Sequence, residues 1–263
     1  MPSNPLNSDG PSAFADHFSV QAADYARYRP HYPAALFAWV ASLLDRHAHA
    51  WDCATGSGQA AVAMAAHIDR VTATDASAAL IVHATPHARV HYAVAPAERS
   101  GLGDRSVDVV TVAQAFHWFD AAAFWREVAR VVRAGGVVAL WSYATLDLGD
   151  ARVQHIVDAF YDDTVGAYWP AERRLVEQGL AGIAMPFADI AAPAFVLEAT
   201  WTLDELVGYI GTWSATQRYR VARGHDPLPA LRAALASAWG DPGASRTVTW
   251  PLSLRVGRVG GTV

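Results

Sequence analysis

From Trp51 to about Leu140, short apolar runs alternate with helix-like stretches: AWDCA, QAAVAMAAH, VTATD, ASAALIVHA, RVHYAVA, DVVTVAQA, AAFWREVARVVR and GVVAL. A strand that returns through a helix to a parallel neighbour requires this alternation, so the pattern predicts stacked βαβ units and a parallel sheet. Strands in such a sheet are covered on both faces, which is why VDVVTVA and GGVVAL are continuously apolar instead of alternating. Ligands of open parallel sheets sit at the C-terminal ends of the strands. Each residue that closes an apolar run is therefore a candidate site residue.

The flanks of this region read differently. Upstream, Pro33 is placed to open a helix carrying Leu36, Phe37, Val40, Leu43 and Leu44 at helical spacing. Beyond Trp141 come the longer helical stretches ARVQHIVDAFYDDTV and LDELVGYIGTWSATQRYRVA, separated by FVLEATW and followed by TVTWPLSLRV. These predict a helical cap interleaved with two further strands. The expected architecture is α/β: a doubly wound, mostly parallel seven-stranded sheet with a helical cap. Residues 1–13 are expected to be a disordered tail, and 14–145 a ligand-binding core with an N-terminal closing helix. Residues 146–257 form the cap with the last two strands, and 258–263 a frayed C-terminus.

Composition narrows the partners. With 263 residues, 52% hydrophobic and 17% charged, the chain can bury one α/β core with an appendage. A net charge of -5 leaves no basic field for a phosphate backbone, so no nucleic-acid partner is expected. All 20 basic residues are arginine, and without lysine a P-loop nucleotidase is excluded. The single cysteine, Cys53, forms no internal disulfide, and no Cys and His spacing resembles a zinc site. MPSNPLNSDGPSA lacks a basic start and an apolar core, and nowhere do eighteen apolar residues run together. The expectation is a cytoplasmic protein with no membrane partner, a monomer or a homodimer.

The segment WDCATGSGQAA carries the most chemistry. It puts Asp52 at a strand end and Gly56, Ser57 and Gly58 in the turn into a helix, where glycine lets a ligand approach the backbone. Gly56, Gly58 and Ala61 also satisfy GxGxxG/A, the pattern of a dinucleotide site. Charge separates the two: a pyrophosphate is repelled by a carboxylate as near as Asp52, whereas an ammonium is attracted to it. Asp75 closes the next run, where a carboxylate can accept both hydroxyls of an adenosine ribose. Ala97 and Glu98 follow the third run, positioned to flank an adenine ring; a solvated loop glutamate is the alternative for Glu98.

DCATGSG, the ATD ending at Asp75, the PAE at Glu98, DVVTVAQAFHWFD and FWREVARVVRAGG together resemble the successive motifs of class I S-adenosylmethionine-dependent methyltransferases. YARYRPHYP and AQAFHWFD make the chain similar, over roughly Phe18 to Trp141, to the type 11 methyltransferases of the trans-aconitate methyltransferase kind. The resemblance implies that S-adenosyl-L-methionine is the cofactor and S-adenosyl-L-homocysteine the product. Asp52, Gly56 and Gly58 would contact its methionine portion, Asp75 its ribose, Ala97 and Glu98 its adenine, and Gln114 and Ala115 the methionine backbone. Tyr25 and Arg29 would close over it, with Arg29 on its carboxylate. Ala54, Thr55 and Ala76 complete the cofactor-binding set, although Ala54 stands where the family more often has its first glycine.

The acceptor side is less constrained. His117, after the fourth strand, is a candidate base or substrate contact; a structural histidine is the alternative. Trp118, Trp141 and Trp213 are candidates to line an acceptor pocket, as are Trp169 and Trp201, against the plainer reading of core residues. Arg218, with Arg220 and Arg223, would suit a carboxylate-bearing acceptor if it faces inward, and otherwise forms a solvated helix face. His83, His87 and His91 are spaced by four, but Pro86 interrupts them, and no metal is expected. The expected reaction is in-line methyl transfer, without a metal, to a small-molecule acceptor such as a carboxylic acid. The alternatives are a non-catalytic S-adenosylmethionine-binding regulator and an NAD-type oxidoreductase.

Overall fold

The computed structural model describes Tyr28 and residues 30–260, so the expected tail 1–13 and most of the N-terminal closing segment lie outside it. Of the expected frayed end 258–263, the described part is ordered instead, with Arg258 paired to Val137 within a strand and Val259 buried and bonded to the Gly136 carbonyl. Helix α1 (Ala34–Ser42) is followed by β1 (His49–Cys53), α2 (Gln59–Met64), β2 (Arg70–Asp75), α3 (Ala78–Val82) and β3 (Val90–Val94). The second half of the core runs β4 (Val107–Ala113), α4 (Ala121–Val131) and β5 (Val132–Ser142). These five strands lie in the order β3-β2-β1-β4-β5, all parallel, with the order reversing between β1 and β4. Because they are parallel, Cys53, Asp75, Val94, Ala113 and Ser142 all end on one rim. The crevice at the reversal is where such a sheet opens to a ligand.

Past β5 come α5 (Ala151–Ala159), α6 (Arg173–Glu177), β6 (Ala188–Asp189) and β7 (Phe195–Trp201), then α7 (Leu203–Gly211), α8 (Ser214–Arg223), α9 (Leu228–Trp239) and β8 (Arg246–Arg258). FVLEATW and TVTWPLSLRV are thus strands, and the two-residue β6 brings the sheet to eight among the described residues, one more than the sequence suggests. Two residues carry no periodicity, which is why β6 left no trace in the pattern. Strand β8 serves three neighbours, all antiparallel: Ser253–Arg258 pair with β5, Gly257 and Arg258 also pair with β6 on the other side, and Arg246–Leu252 pair with β7.

Central burial explains the apolar runs. Every residue of β1 and the first six of β4 are buried. On one face Leu36, Phe37, Met64, Val109 and Trp141 form a core that continues without interruption into the cap through Val153, Leu206, Ile210 and Leu235. On the other, Trp51, Val110, Phe124, Val138 and Leu140 form a second core. The cap therefore shares its hydrophobic interior with the sheet. Among the described residues no helix is long and apolar enough to cross a membrane.

The end of the sheet opposite the rim is tied by one carboxylate. Asp108 accepts from the backbone N–H groups of Ala48 and His49 at 2.9 and 2.8 Å and from Nη1 of Arg133 at 2.8 Å, joining the start of β1 to β4 and β5. Removing one partner of such a buried pair leaves the other uncompensated. Asp108→Ala is expected to cost about 3 kcal/mol, read as a lower urea midpoint at unchanged slope.

Candidate active site

The turn after β1 is the most strained part of the rim. Ala54, Gly56 and Gly58 all have positive φ, at 54°, 55° and 85°. Glycine adopts this conformation freely, but for alanine the Cβ meets the following carbonyl at a cost of about 1–2 kcal/mol. A Cβ at Gly56 would meet nothing, so that stretch of backbone faces open space. One at Gly58 would overlap the Tyr92 hydroxyl, which donates to the Thr85 carbonyl at 2.6 Å. Gly58 is thus required by the chain's own packing as well as by its dihedral. Gln114, immediately after β4, is the second left-handed non-glycine on the rim (φ 58°). It is held by its N–H to the Trp141 carbonyl and its side-chain amide to the Tyr143 carbonyl, both at 2.9 Å. Strained non-glycine residues concentrate where structure is kept for function, and these two flank the crevice.

Two buried carboxylates face the same turn. Asp52, on the central strand β1, accepts from the Thr55 hydroxyl at 2.5 Å and the Thr111 hydroxyl at 2.6 Å, Thr111 being its register partner on β4. Burial pushes its carboxyl up to about 6, the two hydroxyls hold it partly down, and Asp75 adds to the rise. Asp75, at the end of β2, accepts from the backbone N–H groups of Gly56 and Ser77, each at 2.9 Å. Burial raises it too, against those two donors. Among the described residues no cation is paired with either. Next along the rim, Ala76 is exposed, Ala97 is buried, and Glu98 accepts from the Asp120 backbone N–H at 3.0 Å. Neighbouring Cys53 is buried with its thiol pushed well up, which suits a packing role.

The β4–β5 side of the rim is aromatic. Ala115 leads into a 3-10 turn, Phe116–Trp118, on which His117 is half-buried and Trp118 is 36% exposed. Burial, then the nearby Arg173 guanidinium, lowers the His117 imidazole to about 4, so it is neutral at neutral pH. Helix α6 packs on this turn. Its first residue, Arg173, donates to the Ala144 carbonyl just past β5 and to the Tyr161 hydroxyl, each at 3.1 Å. Tyr161, Trp169 and Trp213 pack mutually, with centroids 4.8, 5.5 and 5.7 Å apart.

The structure thus brings Asp52, Ala54, Thr55, Gly56, Gly58, Asp75, Ala76, Ala97, Glu98, Gln114 and Ala115 onto one rim, with His117 and Trp118 beside them. Tyr25 and Arg29 lie outside the described residues. Trp141 is instead a core residue, 1% exposed and edge-on to Tyr32 and Phe37, because alternation along β5 turns it into the sheet's interior. Trp213 is 8% exposed within the aromatic cluster, and Arg218 is exposed on α8, whereas Arg173 on α6 is packed beside the His117 turn. Arg173 and Tyr161 follow no motif; only the packing of α6 against the β4 loop brings them there. Tyr92 was equally invisible, since its register on β3 aims it at Gly58. Replacing Ala54 by glycine is expected to relieve the strain and raise stability by up to about 1 kcal/mol, checked as a higher midpoint in thermal denaturation.

Comparisons with known proteins agree with this geometry. The family pattern described as a methyltransferase domain, type 11, matches residues 51–140. A Dictyostelium discoideum protein named as a methyltransferase is 31% identical over 238 residues, 87% of this chain and 88% of its own. An uncharacterized methyltransferase of Mycobacterium tuberculosis is 33% identical over 137 residues, 51% of this chain and 56% of its own. A solved structure of a protein assigned as a type II methyltransferase from Anaeromyxobacter dehalogenans is 44% identical with a TM-score of 0.83, covering 88% of this chain and 98% of that one. The rim of acidic and glycine residues on a Rossmann-like sheet, and the Dictyostelium and Anaeromyxobacter relatives over 87% and 88% of the chain, place it in the class I S-adenosylmethionine-dependent methyltransferases, with the type 11 domain pattern at residues 51–140.

Proposed function

We propose that the chain binds S-adenosylmethionine on the β1–β2 side of the rim and directs its methyl group to a small carboxylic acid held on the β4–β5 side, leaving S-adenosylhomocysteine. The observation that carries this reading is the buried pair Asp52 and Asp75, two carboxylates without a cationic partner among the described residues, beside a turn whose backbone at Gly56 is open. A buried carboxylate is costly unless a positive group or hydrogen-bond donors complete it. The ammonium and ribose hydroxyls of this cofactor supply both, whereas a dinucleotide pyrophosphate would add like charge.

When bound, the sulfonium cofactor supplies a methyl group already activated for transfer. The chain's task is then to bind, align and exclude water. Asp52 receives the ammonium, and the strained turn from Ala54 through Thr55 and Gly56 to Gly58 carries the methionine portion. Asp75 and Ala76 take the ribose, Ala97 and Glu98 flank the adenine, and Gln114 and Ala115 fix the amino-acid end from β4. His117 and Trp118 border the acceptor. A carboxylate acceptor is already ionised near neutral pH and gives up no proton, so His117 serves as a neutral contact.

Calorimetric titration with S-adenosylhomocysteine is expected to give micromolar binding that Asp75→Ala abolishes; binding of NAD instead would sink the proposal. The cofactor's ammonium needs ionised Asp52, and folding raises that carboxyl from its ordinary 3.8 to about 6. Affinity should therefore tighten about tenfold from pH 5 to pH 7, as the binding-competent fraction rises. In Asp52→Asn this pH dependence should disappear along with most of the affinity. For the acceptor step, His117→Asn is expected to lower the rate less than tenfold, where loss of a needed general base would cost about 10²–10⁴-fold.

A further inference from the structure

Arg173 does not behave like a surface arginine. Its side chain is 19% exposed, and its guanidinium lies 4.7 Å from the Trp169 ring centre and 5.8 Å from that of Tyr161. These contacts and the bonds to Ala144 and Tyr161 fix the plane of the group. Of its five N–H donors, Nε serves the Tyr161 hydroxyl and one on Nη2 serves the Ala144 carbonyl, leaving three uncommitted, both of those on Nη1 among them.

Its charge is also only loosely met. Glu177 lies 3.8 Å from Nε, beyond hydrogen-bond length, and is itself bound by the Tyr161 hydroxyl at 2.5 Å. Among the described residues no other carboxylate is paired with Arg173. The aromatic cage would suit a cationic ligand, but the chain's own guanidinium fills it, which reverses its preference. The Trp169 indole N–H, in the same cluster, is buried and has no partner among the described residues. A fixed, partly desolvated guanidinium with free parallel donors matches the geometry of a carboxylate.

We infer that Arg173, held between Tyr161 and Trp169 beside His117, is the acceptor's anchor and binds a carboxylate of the molecule to be methylated. The inference rests on the function proposed above and assigns the recognition to α6 instead of to Arg218 on α8. Tyr161 and Glu177 act as positioning residues, since they orient the guanidinium without reaching the anion. The cofactor's own carboxylate is the competing occupant; the packing of α6 on the turn of His117 and Trp118, which border the acceptor in the reading above, favours the acceptor.

The test is titration of the protein, with and without saturating S-adenosylhomocysteine, using benzoate and succinate against benzamide and succinamide, followed by tryptophan emission. We expect each acid to bind at least tenfold more tightly than its amide. Arg173→Gln should erase that difference, Arg173→Lys should recover part of it, and the affinity for S-adenosylhomocysteine should stay within twofold. Equal binding of acids and amides, an undiminished preference in Arg173→Gln, or no binding of any acid would overturn the assignment. A tenfold loss of S-adenosylhomocysteine affinity in Arg173→Gln would overturn it as well, by giving the arginine to the cofactor. Failure of the unmodified protein to bind S-adenosylhomocysteine would instead strike the methyltransfer proposal, while the acid titrations without it still judge Arg173. Thermal melting of both variants, expected to match the parent, separates lost recognition from lost folding.

Discussion

Burial of the central strand β1 is the constraint on which the rest of the molecule depends. It lies between β2 and β4 with all five residues covered, so Asp52 has nowhere to go but the interior. Hydroxyls from Thr55 and Thr111 take up its two oxygens, and parallel register puts Thr111 directly beside it. Neutral donors do not cancel the cost of a buried charge, and the raised carboxyl is the sign of what remains. Among the described residues no cation completes the site, which is the condition under which a cationic ligand gains most from binding.

Backbone strain is placed to serve the same rim. Ala54 and Gln114 both adopt left-handed conformations at strand ends on either side of the crevice. Each is held by the sheet next to it: Thr55 N–H bonds the Thr74 carbonyl, and Gln114 is bonded twice to the end of β5. The free energy of the packed sheet thus sustains turns that would relax in isolation. Tyr92 closes the arrangement from β3, against the one glycine that leaves room for it.

The cap and the strands it packs on add aromatic surface at the cost of several unmet donors. Trp141, Trp169 and Trp250 each bury an indole N–H without a hydrogen bond among the described residues. Tyr143, Trp201, Tyr209 and Trp250 pack edge to face behind β5 and β8. Continuity of this cluster with the core under α1 and α2 makes cap and sheet one packed body. Helix α6 is fixed over the 3-10 turn that carries His117 by the second core, against which its Leu175 packs.

By itself the sequence determined the layered α/β class, the strands β1 to β5, the rim position of Asp52, Gly56, Asp75 and Gln114, and the methyltransferase family. It could do so because buried parallel strands need unbroken apolar runs, and because turn glycines and run-closing carboxylates are local features with fixed spacing. Only the tertiary structure decided the short β6, the pairing of β8 with three strands, the retreat of Trp141 into the core and the arrival of Tyr92, Tyr161 and Arg173 at the rim. Those outcomes depend on strand register and helix packing between residues distant in the chain, and contacts of that kind leave no periodicity to read.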